Sequence, residues 1–143
     1  MILRAATPGD APALAAILGD WVRETGWMPL LHSRAEDQWF AGHLIDTQQV
    51  QVAETEEPLG FLARDGAEIS ALYLAPQARG RGTGSALLEA AKAASPALHL
   101  WTFQANTGAQ RFYLRHGFTE TRRTDGAGND ERLPDIRYEW RRA

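Results

Sequence analysis

The stretch Leu74-Ala75-Pro76-Gln77-Ala78-Arg79-Gly80-Arg81-Gly82-Thr83-Gly84-Ser85 decides the reading of this chain. An apolar run from Ile69 to Leu74 predicts a strand that ends at Pro76. A helical pattern begins at Ala86-Leu87-Leu88. Between them lies a basic loop rich in glycine. Glycine permits a tight curl and lets main-chain N–H groups come close to a ligand. A helix N-terminus carries partial positive charge, and Arg79 and Arg81 add full charges. A strand–loop–helix of this kind is suited to phosphate.

Two well-known phosphate loops do not fit. The triphosphate loop requires Gly-Lys-Ser/Thr, whereas the single lysine here is Lys92, within the following helix. The dinucleotide fingerprint needs a third glycine where Ser85 stands, and a later acidic residue at a strand end.

A third pattern does fit. Gln77-Ala78-Arg79-Gly80-Arg81-Gly82 resembles the coenzyme A signature of the GNAT superfamily of N-acetyltransferases, Gln/Arg-x-x-Gly-x-Gly/Ala. The segment Asn106-Thr107-Gly108-Ala109-Gln110-Arg111-Phe112-Tyr113, running into Gly117-Phe118, is similar to that family's second motif, a helix with tyrosine seven residues after asparagine. The resemblance is strong over residues 69–118 and extends to the rest of the chain by element order.

The remaining elements read as follows. Ile2 to Ala5 is a strand, and Asp10 is positioned to cap a helix from Ala11 to about Arg23. Ser33 and Glu36 form a capping box for a second helix, with Trp39, Phe40, Leu44 and Ile45 as its apolar face. Val50–Glu54, Leu59–Ala63 and Glu68–Leu74 are successive strands. Leu98–Phe103 follows the phosphate-loop helix, and Phe118–Thr124 and Asp135–Trp140 close the chain as a hairpin. The order is βααβββαβαββ, an α/β (α+β) chain. The resemblance implies a mixed, mostly antiparallel sheet that splays between its fourth and fifth strands.

At 143 residues the chain is expected to form one domain, residues 1–143. A net charge of −3 gives no support for a nucleic-acid partner. There is no cysteine, so disulfides and thiolate chemistry are excluded and a cytoplasmic setting is expected. No apolar run approaches the roughly 20 residues of a membrane span, and Met1-Ile2-Leu3-Arg4 resembles a first strand, not a secretory signal. The four histidines show no metal-ligand spacing, so no metal is expected.

The resemblance implies an acetyl-CoA co-substrate and a primary amine acceptor, on a small molecule or a peptide. Leu72, Tyr73 and Leu74 would border the pantetheine arm, which the backbone of Leu72 and Leu74 would hydrogen-bond. Gln77, Arg79, Gly80, Arg81, Gly82, Thr83, Gly84 and Ser85 would hold the diphosphate, with Asn106, Ala109 and Phe112 alongside. Tyr113 is the candidate general acid, because a phenol is protonated at neutral pH and can donate to a thiolate. Glu68 is the candidate base, acting through water. Trp27, His32 and Asp135 are candidates for the acceptor wall, and the acidic loop from Asp125 to Asp135 would attract an ammonium group. Relatives in the family pair as homodimers, and the sequence leaves that state open. A coenzyme-binding module without turnover is the alternative, kept alive because no strong base is evident.

Overall fold

The computed structural model describes residues 1–143. Eleven longer elements form: β1 (Ile2–Ala5), α1 (Ala11–Glu24), α2 (Arg34–Thr47), β2 (Gln49–Glu54), β3 (Pro58–Asp65), β4 (Glu68–Leu74), α3 (Thr83–Ala94), β5 (Ala97–Phe103), α4 (Thr107–Arg115), β6 (Thr119–Thr124) and β7 (Asp135–Arg141). They make one seven-stranded sheet in the order β1-β2-β3-β4-β5-β7-β6. Every neighbouring pair is antiparallel except β4 and β5. This is the expected element order, and no helix is long and apolar enough to cross a membrane.

The sheet is two half-sheets joined at one point. β4 and β5 pair in parallel only at Glu68 and His99, then diverge toward their C-terminal ends. Both halves are anchored by apolar burial, the dominant favourable term in folding. On one face, Leu14, Ile17 and Leu18 of α1 and Ala41 and Leu44 of α2 pack on Val52, Phe61 and Ala71. On the other, Leu87, Leu88 and Ala91 of α3 join Leu62, Ile69, Leu98, Leu100, Ile136 and Tyr138. The second half-sheet has no helix on the α1–α2 side, and Trp101 there is half exposed.

A β-bulge sets which side chains of β4 face which core. Ala63 pairs with Ala71 and Arg64 with Ile69, so Ser70 is the extra residue. The bulge breaks the two-residue alternation. Ile69 therefore joins the α3 core while Ala71 joins the α1–α2 core.

Two sequence expectations need correction. Asp10 does not cap α1 with its side chain. Its carboxylate instead accepts from Arg4 at 2.8 Å and from the Thr7 amide at 2.8 Å. The apolar face of α2 is also not as read. Its buried stripe is Asp37, Ala41 and Leu44, whereas Trp39 is 69% exposed and Phe40 37%. A buried aspartate is admitted because Arg23 of α1 reaches it at 3.2 Å. That rotation of the helix turns Trp39 outward. The capping box of Ser33 and Glu36 forms as expected.

Candidate active site

The glycine-rich loop presents main chain. Gly80 and Gly82 have φ of 71° and 83°, the left-handed region where a side chain is strained. Gly82 caps α3. The first hydrogen bond of the helix is Ala86 N–H to Gly82 O at 2.9 Å, and the amides of Gly80 through Ser85 have no acceptor within the protein. A run of free N–H groups at a helix start is an anion cradle. Gly84 fits between Leu74 and Phe112, where a Cβ would lie 3.4 and 3.5 Å from their side chains.

The side chains of this loop are disposed less uniformly. Gln77 and Arg81 are exposed. Arg79 donates to Leu74 O at 3.1 Å and forms an ion pair with Glu24, bracing the loop against α1. Thr83 is buried. The Ser85 hydroxyl lies 3.0 Å from His116 Nε2, tying α3 to the end of α4.

A cleft of about 120 Å³ lies between β4 and β5, lined among others by Ser70, Leu72, Tyr73, Asn106, Ala109 and Tyr113. The β4 edge along it is unpaired. Ala75 N–H bonds Leu59 O across β3. By the alternation of an antiparallel ladder, Tyr73 and Ala71 also bond β3, and Leu72 and Leu74 turn their polar groups toward the cleft. On the opposite wall, the Asn106 side chain accepts from Ala109 N–H at 3.1 Å and caps α4. Phe112 lies behind this wall, against Gly84 and, edge-on, Tyr113.

Tyr113 is buried, in aromatic contact with Phe112, Phe118 and Tyr138. Its hydroxyl has no hydrogen-bond partner in the protein and is not sealed from the cleft. Burial raises its pKa well above the ordinary phenol value, and the facing Tyr73 adds to the rise. Tyr73 is pushed up to about 12, by burial first and then by the charge of Glu131.

Beyond the cleft lies a chamber of about 710 Å³ between α1, α2, β5 and the β6–β7 loop. Its lining includes His32, Glu36, Asp37, Asp130 and Glu131, and neither lysine nor arginine. Asp37 is neutralised by Arg23. Glu36 is held below the usual carboxylate range by the Ser33 amide and hydroxyl. Asp130 and Glu131 take part in no ion pair. Glu131 also lines the adjoining cavity of about 600 Å³ on the second half-sheet.

The loop carrying Glu131 is held by its own hydrogen bonds. Asn129 bonds both Leu133 and Asp135, and Asp135 also accepts from Thr124 Oγ1. Gly126, at φ 88°, lies so close to Leu133 that a Cβ would come within 2.4 Å of its backbone. Asp135 thus braces the loop that presents Glu131.

The other sequence candidates separate. His32 lines the chamber, 3.7 Å from Glu36. Trp27 is packing, edge-on to Trp21 and Phe103 at 5.9 and 5.8 Å. Glu68 lies outside the lining of cleft and chamber, on the uncovered sheet face. Its carboxylate is 2.6 Å from His99 Nδ1 and 3.4 Å from Arg137. Glu131 lies within the acidic loop and Tyr73 within the β4 stretch that the sequence singled out; the fold adds that the two come together where the hairpin turn and the β4 edge meet.

The domain model for the acetyltransferase (GNAT) domain matches residues 46–120, and the chain belongs to this family. It is 37% identical to the peptidyl-lysine N-acetyltransferase YjaB of Salmonella typhimurium, over 53% of this chain and 52% of that one. The chain therefore spans about half the length of that relative. It is 30% identical to the peptidyl-lysine N-acetyltransferase YiaC of Escherichia coli, over 89% of this chain and 90% of that one. The solution structure of apo YjaB from Escherichia coli superposes with a TM-score of 0.80, 26% identity and full coverage of both chains.

Proposed function

We propose that the protein is an acetyl-CoA-dependent N-acetyltransferase that acetylates a primary amine by direct transfer in a ternary complex. The observation that carries this is the run of acceptor-free amides from Gly80 to Ser85, following the β4 strand whose unpaired edge lines a cleft with Tyr113. The diphosphate rests on those amides. The pantetheine arm takes the place of a missing strand beside β4, hydrogen-bonded by Leu72 and Leu74. The thioester then lies where Tyr73 and Tyr113 face one another.

The acceptor enters from the acidic chamber as an ammonium ion, drawn by Glu131 and Asp130. It must shed a proton before its lone pair can attack. Glu68 lies outside the cleft and is engaged by His99 and Arg137, so a proton reaches it only along a chain of waters; otherwise bulk solvent takes it. The new C–N bond forms as the C–S bond breaks, and free N–H groups of β4 stabilise the carbonyl oxygen. Tyr113 hydrogen-bonds the departing sulfur. Its raised pKa keeps it protonated, so it donates a hydrogen bond without losing its proton, and the second proton, shed by the acylated nitrogen, passes through solvent to the thiolate. The names of the relatives YjaB and YiaC support a peptide lysine as the acceptor.

Thiol release from acetyl-CoA tests the reading. Release should depend on added primary amine and saturate with both substrates, along intersecting double-reciprocal lines. Coenzyme binding without amine-dependent release would favour a sensor module.

A further inference from the structure

The chamber is surrounded by more apolar surface than a small amine needs. From the α1–α2 connection, Met28 and His32 turn into the chamber, while Leu30 and Leu31 stand 61% and 45% exposed. On α2, Trp39 and Phe40 line the chamber and are 69% and 37% exposed. Trp39 is a rigid ridge. Its ring stacks on His43 at 5.1 Å and 7°, and on its far side it borders a second groove of about 530 Å³ with Pro8, Gly42 and Ile45. Large apolar side chains grouped at the rim of a pocket mark a contact surface, and an exposed, held tryptophan is the residue type that most often dominates such contacts.

Charge selects the occupant. The chamber is lined by carboxylates and a histidine without lysine or arginine, and Glu36 at its α2 edge stays ionised because the Ser33 amide and hydroxyl hold it. A cationic side chain with an apolar stem suits the aromatic walls of Trp101 and Phe103, its ammonium reaching Glu131. A free polyamine would fill the chamber and leave Leu30, Leu31 and Trp39 in water. An extended polypeptide would use both. Its lysine would descend into the chamber while an adjacent apolar side chain packs on the shelf outside.

We infer that this shelf, Leu30, Leu31, Trp39 and Phe40, docks a polypeptide acceptor and selects lysines flanked by apolar residues. The inference rests on the transferase reading above and adds to it a sequence preference and the residues that impose it.

Two blocked peptides test it, identical except that the single lysine is flanked by leucine in one and serine in the other. Wild-type protein should favour the leucine peptide by about tenfold in kcat/KM, the scale of one good apolar anchor. Trp39→Ala should reduce the ratio below about threefold, through KM for the leucine peptide, with KM for acetyl-CoA retained. Because Trp39 is exposed, the variant should fold; circular dichroism checks this, and Leu30→Ser with Leu31→Ser should act in the same direction. Equal use of the two peptides by wild-type protein, or a ratio kept by both variants, overturns the inference. So does acetylation of a simple diamine with neither peptide accepted, which leaves the transferase reading intact. Absence of thiol release with every amine refutes the transferase reading itself, and the shelf's role with it.

Discussion

The two ends of the cleft are built on different principles. The end proposed for the diphosphate is contiguous main chain, from Gly80 to Ser85, whose amides are free because a helix begins there. The acceptor end is side chains from α1, α2, β4, β5 and the β6–β7 loop, brought together only by the fold. The first recognises a ligand through backbone geometry and so tolerates most side-chain changes that leave its glycines alone. The second recognises through chemistry displayed on a frame, so single side chains alter what it accepts.

The contrast is most easily broken at Gly82. Gly82→Glu places a Cβ at φ 83° and an anion beside the proposed diphosphate site. Acetyl-CoA affinity should fall by more than about a hundredfold by calorimetry, while the acceptor chamber and the fold persist. Retained affinity would remove the loop from coenzyme binding. Tyr113→Phe tests the meeting point of the two ends. The ring and its aromatic contacts remain and only the donor to sulfur is lost, so kcat should fall about a hundredfold, with acetyl-CoA affinity changed less than about threefold. An unchanged kcat would make Tyr113 a packing residue.

The third prediction concerns a site outside both ends. Asp10 is held down to about 2 by its hydrogen bond with Arg4 and by the Thr7 amide, against the cost of burial. A carboxylate with a depressed folded-state pKa stabilises the fold fully above its unfolded value of 3.8. That stability is lost as pH falls from about 4 toward 2. Asp10→Asn should therefore cost about 2 kcal/mol in urea unfolding at neutral pH, and the deficit should shrink across that acid window. Coenzyme affinity should not move, since β1 lies at the far edge of the sheet.

The same contrast explains what was legible in the sequence. The strand–loop–helix with its left-handed glycines could be read because its determinants are local: glycine spacing, a preceding strand and a following helix all lie within a few residues. The helix that Asn106 caps and that carries Tyr113 could be read for the same reason. Glu131 could not, because nothing in an acidic hairpin turn says which carboxylate meets Tyr73. Trp39 was misread because helical apolar spacing was counted without the Asp37–Arg23 pair, which buries a charge and turns the indole to solvent. Asp10 sits at a helix start, yet the nearby Arg4 guanidinium competes for its carboxylate. Asp135 does not face the acceptor chamber as its position suggested, since Asn129 and Thr124 engage it, whereas Glu131 of the same acidic loop lines the chamber unpaired.

The β6–β7 turn is restrained internally, through Asn129, Thr124, Asp135 and the tight approach of Gly126 to Leu133, and is tied to the rest of the sheet through Gln104, which bonds Thr124, Pro134 and Asp135. It behaves as a detachable cassette. A chain of this design could be refitted for a different acceptor by exchanging one hairpin, provided the bonds to Gln104 are kept, while the glycine loop ahead of α3 lies in another stretch of the chain.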